Sequence, residues 1–188
     1  MNSLYRYLII TVLLFGTVAV HSQDTARIRI RPMVEAGYVF GGMVYNYNYV
    51  YNPGGYFNVA AMWFLTEKEA ISLSGGYAGL QKNDRFFPIK LSLTGFTKKQ
   101  KDGMYYSFAT GYSFADDLDL NKIEGYNLRG GFLFESGIGR RIFIGDYSIM
   151  MGISYWHQLT QIIYDIPGNT VNENVNYDNF KFELKLIF

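Results

Sequence analysis

No cysteine occurs among the 188 residues. Its absence rules out disulfides, thiol catalysis and thiolate metal sites, and it closes the route by which a lipoprotein is anchored through a cysteine. Proline is scarce, with four residues, and histidine scarcer, with two. An excess of one charge is missing too: 17 basic against 16 acidic side chains leave a formal net charge of +1. Nothing global draws such a chain to nucleic acid. Beyond residue 20 no stretch approaches the run of about 18 apolar residues that a transmembrane helix needs. That region also contains no helical repeat of apolar residues, no linker, no low-complexity tail and no sign of a second domain.

The first twenty residues are different. Met1 to Tyr7 carries one cation, Arg6, and Leu8 to Val20 is apolar apart from Thr11, Gly16 and Thr17. Val20 and Ser22 then stand at the −3 and −1 positions before Gln23. This is the three-part layout of a secretory signal peptide, and the run is short for a bilayer span of about 20 residues. The sequence therefore predicts a cleaved leader at residues 1–22 and one domain at 23–188. Losing Arg6 with the leader takes the basic count to 16, equal to the acidic count.

Aromatics are abundant at 18%, with 17 Tyr, 15 Phe and 20 Gly beside them. Apolar residues recur at every second position, the period of a strand with unlike faces. Near the C-terminus Phe180, Phe182, Leu184, Leu186 and Phe188 alternate with Lys181, Glu183 and Lys185. Phe87, Ile89, Leu91 and Leu93 oppose Lys90, Ser92 and Thr94. Leu128, Phe132, Phe134 and Ile138 are read against Asn127, Arg129 and Glu135, and Val34, Ala36, Tyr38 and Phe40 against Arg31 and Glu35. Similar runs start near Phe57, Ile71, Tyr106 and Tyr147, which makes eight segments. Their connections alternate in length. Thr66–Glu69, Lys98–Gly103 and Gly145–Asp146 are short; Met43–Gly54, Ala115–Gly125 and His157–Asn176 are long; Gln81–Arg85 is a short exception. Transmembrane barrels have short inner turns and long outer loops, and an even strand number places both termini on the periplasmic side.

Alternation does not say which face is inside, and a soluble periplasmic ligand-binding barrel would read similarly. Three features favour the membrane. The polar faces carry small uncharged residues (Ser72, Ser74, Gly76; Ser107, Ala109, Gly111; Ser148, Gly152, Ser154), which suit a narrow lumen. Tyr38, Phe40, Trp63, Tyr77, Phe87, Phe114, Tyr126, Tyr147 and Tyr155 sit near strand ends, as interfacial girdles require. The final strand stops on an aromatic, Phe188.

On these residues, and on Gly-aromatic stretches such as Gly111–Phe114 and Gly131–Phe134, the chain resembles the small outer-membrane protein β-barrel family of the OmpX and OmpA-barrel type. The resemblance implies an eight-stranded antiparallel up-and-down transmembrane barrel. It implies that the strand carrying Phe180, Phe182, Leu184, Leu186 and Phe188 is the signal read by the barrel-assembly machinery. It also implies outer-membrane lipid and lipopolysaccharide as partners, and no cofactor. The peptidoglycan-binding domain of the OmpA arrangement has no counterpart here.

An eight-stranded lumen is about wide enough for side chains to fill it. Buried charges need partners there. The expectation is a lumen salt-bridge network joining Glu35, Glu135 and Glu183 to Lys90, Arg129, Lys181 and Lys185. A narrow gated channel is the alternative use of the same charges. A second alternative is a lipid A-modifying enzyme using His157, the one histidine after the leader. The deacylase pattern has a serine two residues after its histidine, where this chain has Leu159, and Thr160 falls on the other strand face. No catalytic or metal residue is therefore assigned.

Other motifs are weaker. Asp116–Asn121 begins like a calcium loop, but Lys122 replaces the glycine and Leu128 stands at the bidentate position. Such acids could still hold divalent cations against lipopolysaccharide. Tyr45, Tyr47, Tyr49 and Tyr51 form a Tyr/Asn-rich outer loop, a candidate surface for an unknown ligand. The paired glycines lie inside strands rather than before helices, so they are not phosphate loops.

Overall fold

The computed structural model describes residues 29–45, 48–81, 84–99, 102–117, 127–166 and 169–188. The expected leader, Tyr47 and Tyr126 lie outside them, as do the side chain of Tyr45 and most of the Asp116–Asn121 motif. Ten strands follow in order: β1 (Arg29–Tyr45), β2 (Asn48–Tyr51), β3 (Gly54–Phe64), β4 (Glu69–Leu80), β5 (Asp84–Phe96), β6 (Gly103–Asp117), β7 (Asn127–Arg129), β8 (Gly131–Ile144), β9 (Tyr147–Ile166) and β10 (Asn169–Ile187). All pairings are antiparallel.

β2 and β3 follow one another along β1, separated by Asn52 and Pro53. Pro53 has no N–H to give the ladder, while Asn52 N–H donates to the Gly41 carbonyl at 2.8 Å. β7 and β8 likewise follow one another along β9, separated by Gly130. Counting each couple as one stave gives eight, and the β1–β10 and β9–β10 ladders close them into a barrel with no free edge around its waist. We call the end that holds Phe188 and the tight turns the near end. At the β8–β9 turn Gly145 takes a φ of 61°, which a Cβ would penalise.

The period-2 pattern is divided between lumen and exterior. On β10, Tyr177, Asn179, Lys181, Glu183 and Lys185 are buried inside, while Phe180, Phe182 and Leu184 are about half exposed outside. Phe57, Val59, Ile89, Leu91, Leu93, Phe108, Phe134, Ile138, Met151 and Ile153 extend this outer apolar face around the barrel. Its height on β10, from Phe180 to Phe188, matches the roughly 9–11 residues of a tilted bilayer crossing.

Two expectations need correction. Leu128 and Arg129 lie on the faces opposite to those expected: Leu128 is buried and Arg129 exposed. Gly130 interrupts the stave, and one unpaired residue exchanges inside for outside on one side of the break. Arg129 therefore does not join the lumen charges. The segment His157–Asn176 is also not a loop. β9 and β10 continue to Ile166 and from Asn169, so the hairpin stands well beyond the apolar belt.

Candidate functional site

The lumen is filled in three layers. The middle layer brings together six charges from four strands: Glu35 (β1), Lys90 (β5), Glu135 (β8), and Lys181, Glu183 and Lys185 (β10). Lys90 Nζ lies 3.0 Å from Glu135 Oε2 and 3.8 Å from Glu35 Oε2. Lys181 Nζ lies 2.6 Å from Glu135 Oε1 and 3.7 Å from Glu35 Oε1. Lys185 Nζ is 3.0 Å from Glu183 Oε1, which also accepts from the Tyr105 hydroxyl at 2.7 Å. Ser154 Oγ donates to Glu183 Oε2 at 3.0 Å. Three carboxylates face three ammonium groups, so the layer is neutral and each desolvated charge has an opposite neighbour. The three glutamates alone have the spacing of a cation site. The lysines already stand among them and supply the compensating charge.

Toward the far end the second layer is apolar: Val39, Tyr56, Ala78, Leu80, Phe86, Leu128, Leu133, Trp156, Ile162, Val175 and Tyr177. Phe86 meets Trp156 and Tyr177 edge-on, with centroids 5.9 and 5.1 Å apart. Above it Asp84 Oδ2 accepts from Tyr177 Oη at 2.8 Å and from Asn52 Nδ2 at 2.7 Å. Alternation does not reveal this buried polar cap, because it joins Asn52, between β2 and β3, and Asp84, at the start of β5, to Tyr177 within β10. The third layer, at the near end, holds Met33, Met62, Ala70, Phe96, Tyr105, Met150 and Ile187. Arg141 lies against Phe96 and Phe143, 4.3 and 4.2 Å from the ring centroids, and closes this end. Two cavities beside the charged layer measure about 20 and 10 Å³, room for roughly one water or less.

The expected girdle residues within the described set face outward. Tyr38, Tyr77, Phe87, Phe114 and Tyr147 are exposed, and Phe40, Trp63 and Tyr155 half-buried. Several pack across strands: Phe40 stacks on Phe180 and tilts against Phe182, Tyr77 tilts against Phe87, and Tyr147 meets Phe188 edge-on. Of the strand expected to signal assembly, Phe180, Phe182, Leu184 and Phe188 are exposed and Leu186 is half-buried. Tyr49 and Tyr51, on β2, are exposed by 58% and 57%, the most accessible tyrosines of the described chain.

His157 also faces outward. Its Nδ1 lies 2.7 Å from Asp178 Oδ1, which the Tyr155 hydroxyl also contacts. Leu159 is the next residue on that face. Thr160 points inward and donates to the Val175 carbonyl at 2.8 Å. An acid on the imidazole also occurs in acyl-transfer triads, but among the described residues no hydroxyl is hydrogen-bonded to His157.

No family model matches the chain, and no curated protein matches it. Among solved structures it is similar to the outer membrane protein AlkL, determined by solid-state NMR in lipid bilayers. That pair shows 13% identity and a TM-score of 0.56 over 89% of this chain and 94% of the other. It is also similar to Neisserial surface protein A, NspA, with 12% identity and a TM-score of 0.58 over 84% of this chain and 97% of the other. At that identity the likeness concerns the fold: this chain is a closed, eight-stranded antiparallel barrel of the architecture seen in outer-membrane proteins.

Proposed function

We propose that this protein is an integral outer-membrane β-barrel with an envelope-structural or surface-binding role, that it is not a catalyst, and that its lumen is a core rather than a conduit. The observation that carries the reading is the inversion of the two faces. Glu35, Lys90, Glu135, Lys181, Glu183 and Lys185 are buried within the barrel, while phenylalanine, leucine and isoleucine cover its outside. Hydrocarbon stabilises that arrangement, because the bilayer solvates the outer side chains and the closed ladder presents no sheet edge to lipid. Water would not. A soluble ligand-binding barrel turns its apolar face inward and keeps a cavity there, whereas apolar layers fill this lumen at both ends. The same layers argue against a gated channel, since wide aqueous paths belong to barrels of about 16 strands or more. In this reading the near end is periplasmic, and the tall β9–β10 hairpin with Tyr49 and Tyr51 is presented to the outside.

The test is expression with the leader in a Gram-negative host, followed by membrane fractionation and gel electrophoresis with and without boiling. Recovery in the outer membrane with a heat-dependent mobility shift is expected. The purified barrel is then placed in a planar bilayer, where a flat current trace is expected. A soluble periplasmic product would overturn the membrane reading. Stable unitary conductance steps would overturn the solid-core reading alone.

A further inference from the structure

The far end of the wall between β3 and β4 is thin. Gly55 pairs with Gly79, so the exterior loses both side chains at this rung. The gap is a groove of about 440 Å³, within the range of roughly 300–1,000 Å³ typical of small-molecule sites. Phe57 and Tyr77 flank it on the side of the apolar belt, and Tyr56 and Leu80 form its floor. Arg85 closes it at the rim, on the ladder position opposite Gly79. The Tyr77 ring lies over Gly79: a Cβ there would stand 2.8 Å from the Tyr77 hydroxyl and 3.2 Å from two of its ring carbons.

What sets Arg85 apart from the exposed wall cations Arg129 and Arg140 is its place on the rim of this groove. Its ladder partner on the other side is Asp116, which is exposed, and no ion pair joins the two. Among the described residues Arg85 has no carboxylate partner. A guanidinium and a tyrosine lining one groove, just beyond an aromatic belt, match a phosphate at headgroup depth. The groove, bare over Gly55 and walled by Phe57 and Tyr77, matches an acyl chain attached to that phosphate.

We propose that this groove is a binding site for a phosphorylated, acylated lipid of the outer leaflet, with the phosphate on Arg85 and one acyl chain across Gly55, against the Tyr77 ring. The proposal rests on the outer-membrane reading. It adds a defined seat to what is otherwise a general lipid contact.

The test uses the full folded barrel in neutral detergent micelles, with lipid A as the probe and native mass spectrometry as the readout. Retention of one lipid A per barrel is expected. Arg85→Gln should weaken retention about tenfold or more, the usual loss for a charged hydrogen bond. Gly55→Leu should also abolish it by filling the groove; a Cβ there meets only the Gly37 carbonyl oxygen, at 3.8 Å, so the strand accepts the side chain. Arg140→Gln, an exposed cation near the other end of the wall, should leave retention unchanged. Each variant is checked for the heat-dependent mobility shift, so loss of folding is separated from loss of binding. Equal retention by Arg85→Gln, equal retention of dephosphorylated lipid A, or full displacement by inorganic phosphate alone would each overturn the proposal. None of those results would disturb the membrane reading, which fails only if the barrel does not enter the outer membrane.

Discussion

Lys90 and Glu135 stand 45 positions apart in the chain, on strands separated by β6, yet their charged atoms meet at 3.0 Å inside the barrel. Glu135 also holds Lys181 at 2.6 Å, whereas Glu35 reaches the same two lysines only at 3.8 and 3.7 Å. The two glutamates are thus unequal. Glu135→Gln leaves both ammonium groups short of their nearest counter-charge. A loss of about 3–5 kcal/mol is expected, the cost of breaking a buried pair. Glu35→Gln should cost less than half as much. The check is urea unfolding of the refolded barrel in micelles. The double variant Lys90→Met/Glu135→Leu should recover part of the loss, because the layer stays neutral and Lys181 keeps Glu35 as a counter-charge at 3.7 Å. Equal losses for Glu35→Gln and Glu135→Gln would contradict the asymmetry of the distances.

Tyr105 gives a steric prediction. Its ring lies over Gly139 and Gly152, and its hydroxyl donates to Glu183. A Cβ on Gly152 would stand 2.3 Å from that hydroxyl and 2.5 Å from the Ile138 carbonyl oxygen. Gly152→Ala should destabilise the barrel by about 1–3 kcal/mol, as overpacking does, and should weaken the Tyr105–Glu183 hydrogen bond. Combining it with Tyr105→Phe should give less than the sum of the separate losses, since both changes act on one contact. Strict additivity in the unfolding curves would refute the coupling.

The fold was legible because alternation is a strong local signal. Where a strand is polar on both faces the signal disappears. Asn172, Asn174 and Asn176 are exposed on one face of β10, while its other face carries Glu173 as well as Val171 and Val175. The strand persists there because its backbone pairs with β9 from Thr170 to Asn176, and backbone pairing leaves little trace in composition. The charged layer was partly legible for a related reason. Glu35, Lys90, Glu135, Lys181, Glu183 and Lys185 each alternate with apolar outward-facing neighbours, so parity puts them inside. Parity failed at Arg129, because nothing in the run of residues from Asn127 to Phe132 announces that Gly130 is left out of the count. The Asp84–Asn52–Tyr177 cap and the Gly55–Gly79 groove were not legible, since both depend on which strands become neighbours.

The displaced parity at Gly130 can be tested directly. Arg129 is exposed and joins no lumen pair. Arg129→Ala should shift stability by no more than about 0.5 kcal/mol, as expected for a surface site. Leu128→Asp, which buries an acid among Leu133, Trp156 and Ile162, should prevent refolding. If Arg129→Ala proved the damaging change and Leu128→Asp the tolerated one, the assignment of the two faces beyond Gly130 would be reversed. Electrophoresis with and without boiling reads both variants.

His157 is the residue on which a catalytic reading would depend. A histidine hydrogen-bonded to an acid becomes an acyl-transfer base only when its other nitrogen reaches a nucleophile. Here Asp178 holds Nδ1, and the next residue on the same face is Leu159. The nearby hydroxyls are committed elsewhere: Thr160 to the Val175 carbonyl inside the barrel, and Tyr155 to Asp178 itself. The arrangement ties β9 to β10 at the upper margin of the apolar belt, which explains why two ionisable groups stand there together. Host cells that produce the protein should therefore show the same lipid A masses as cells that do not, and His157→Ala should leave those masses unchanged while lowering the unfolding midpoint slightly. Loss of one acyl chain from lipid A in producing cells, restored to full length by His157→Ala, would establish catalysis and identify His157 as its base.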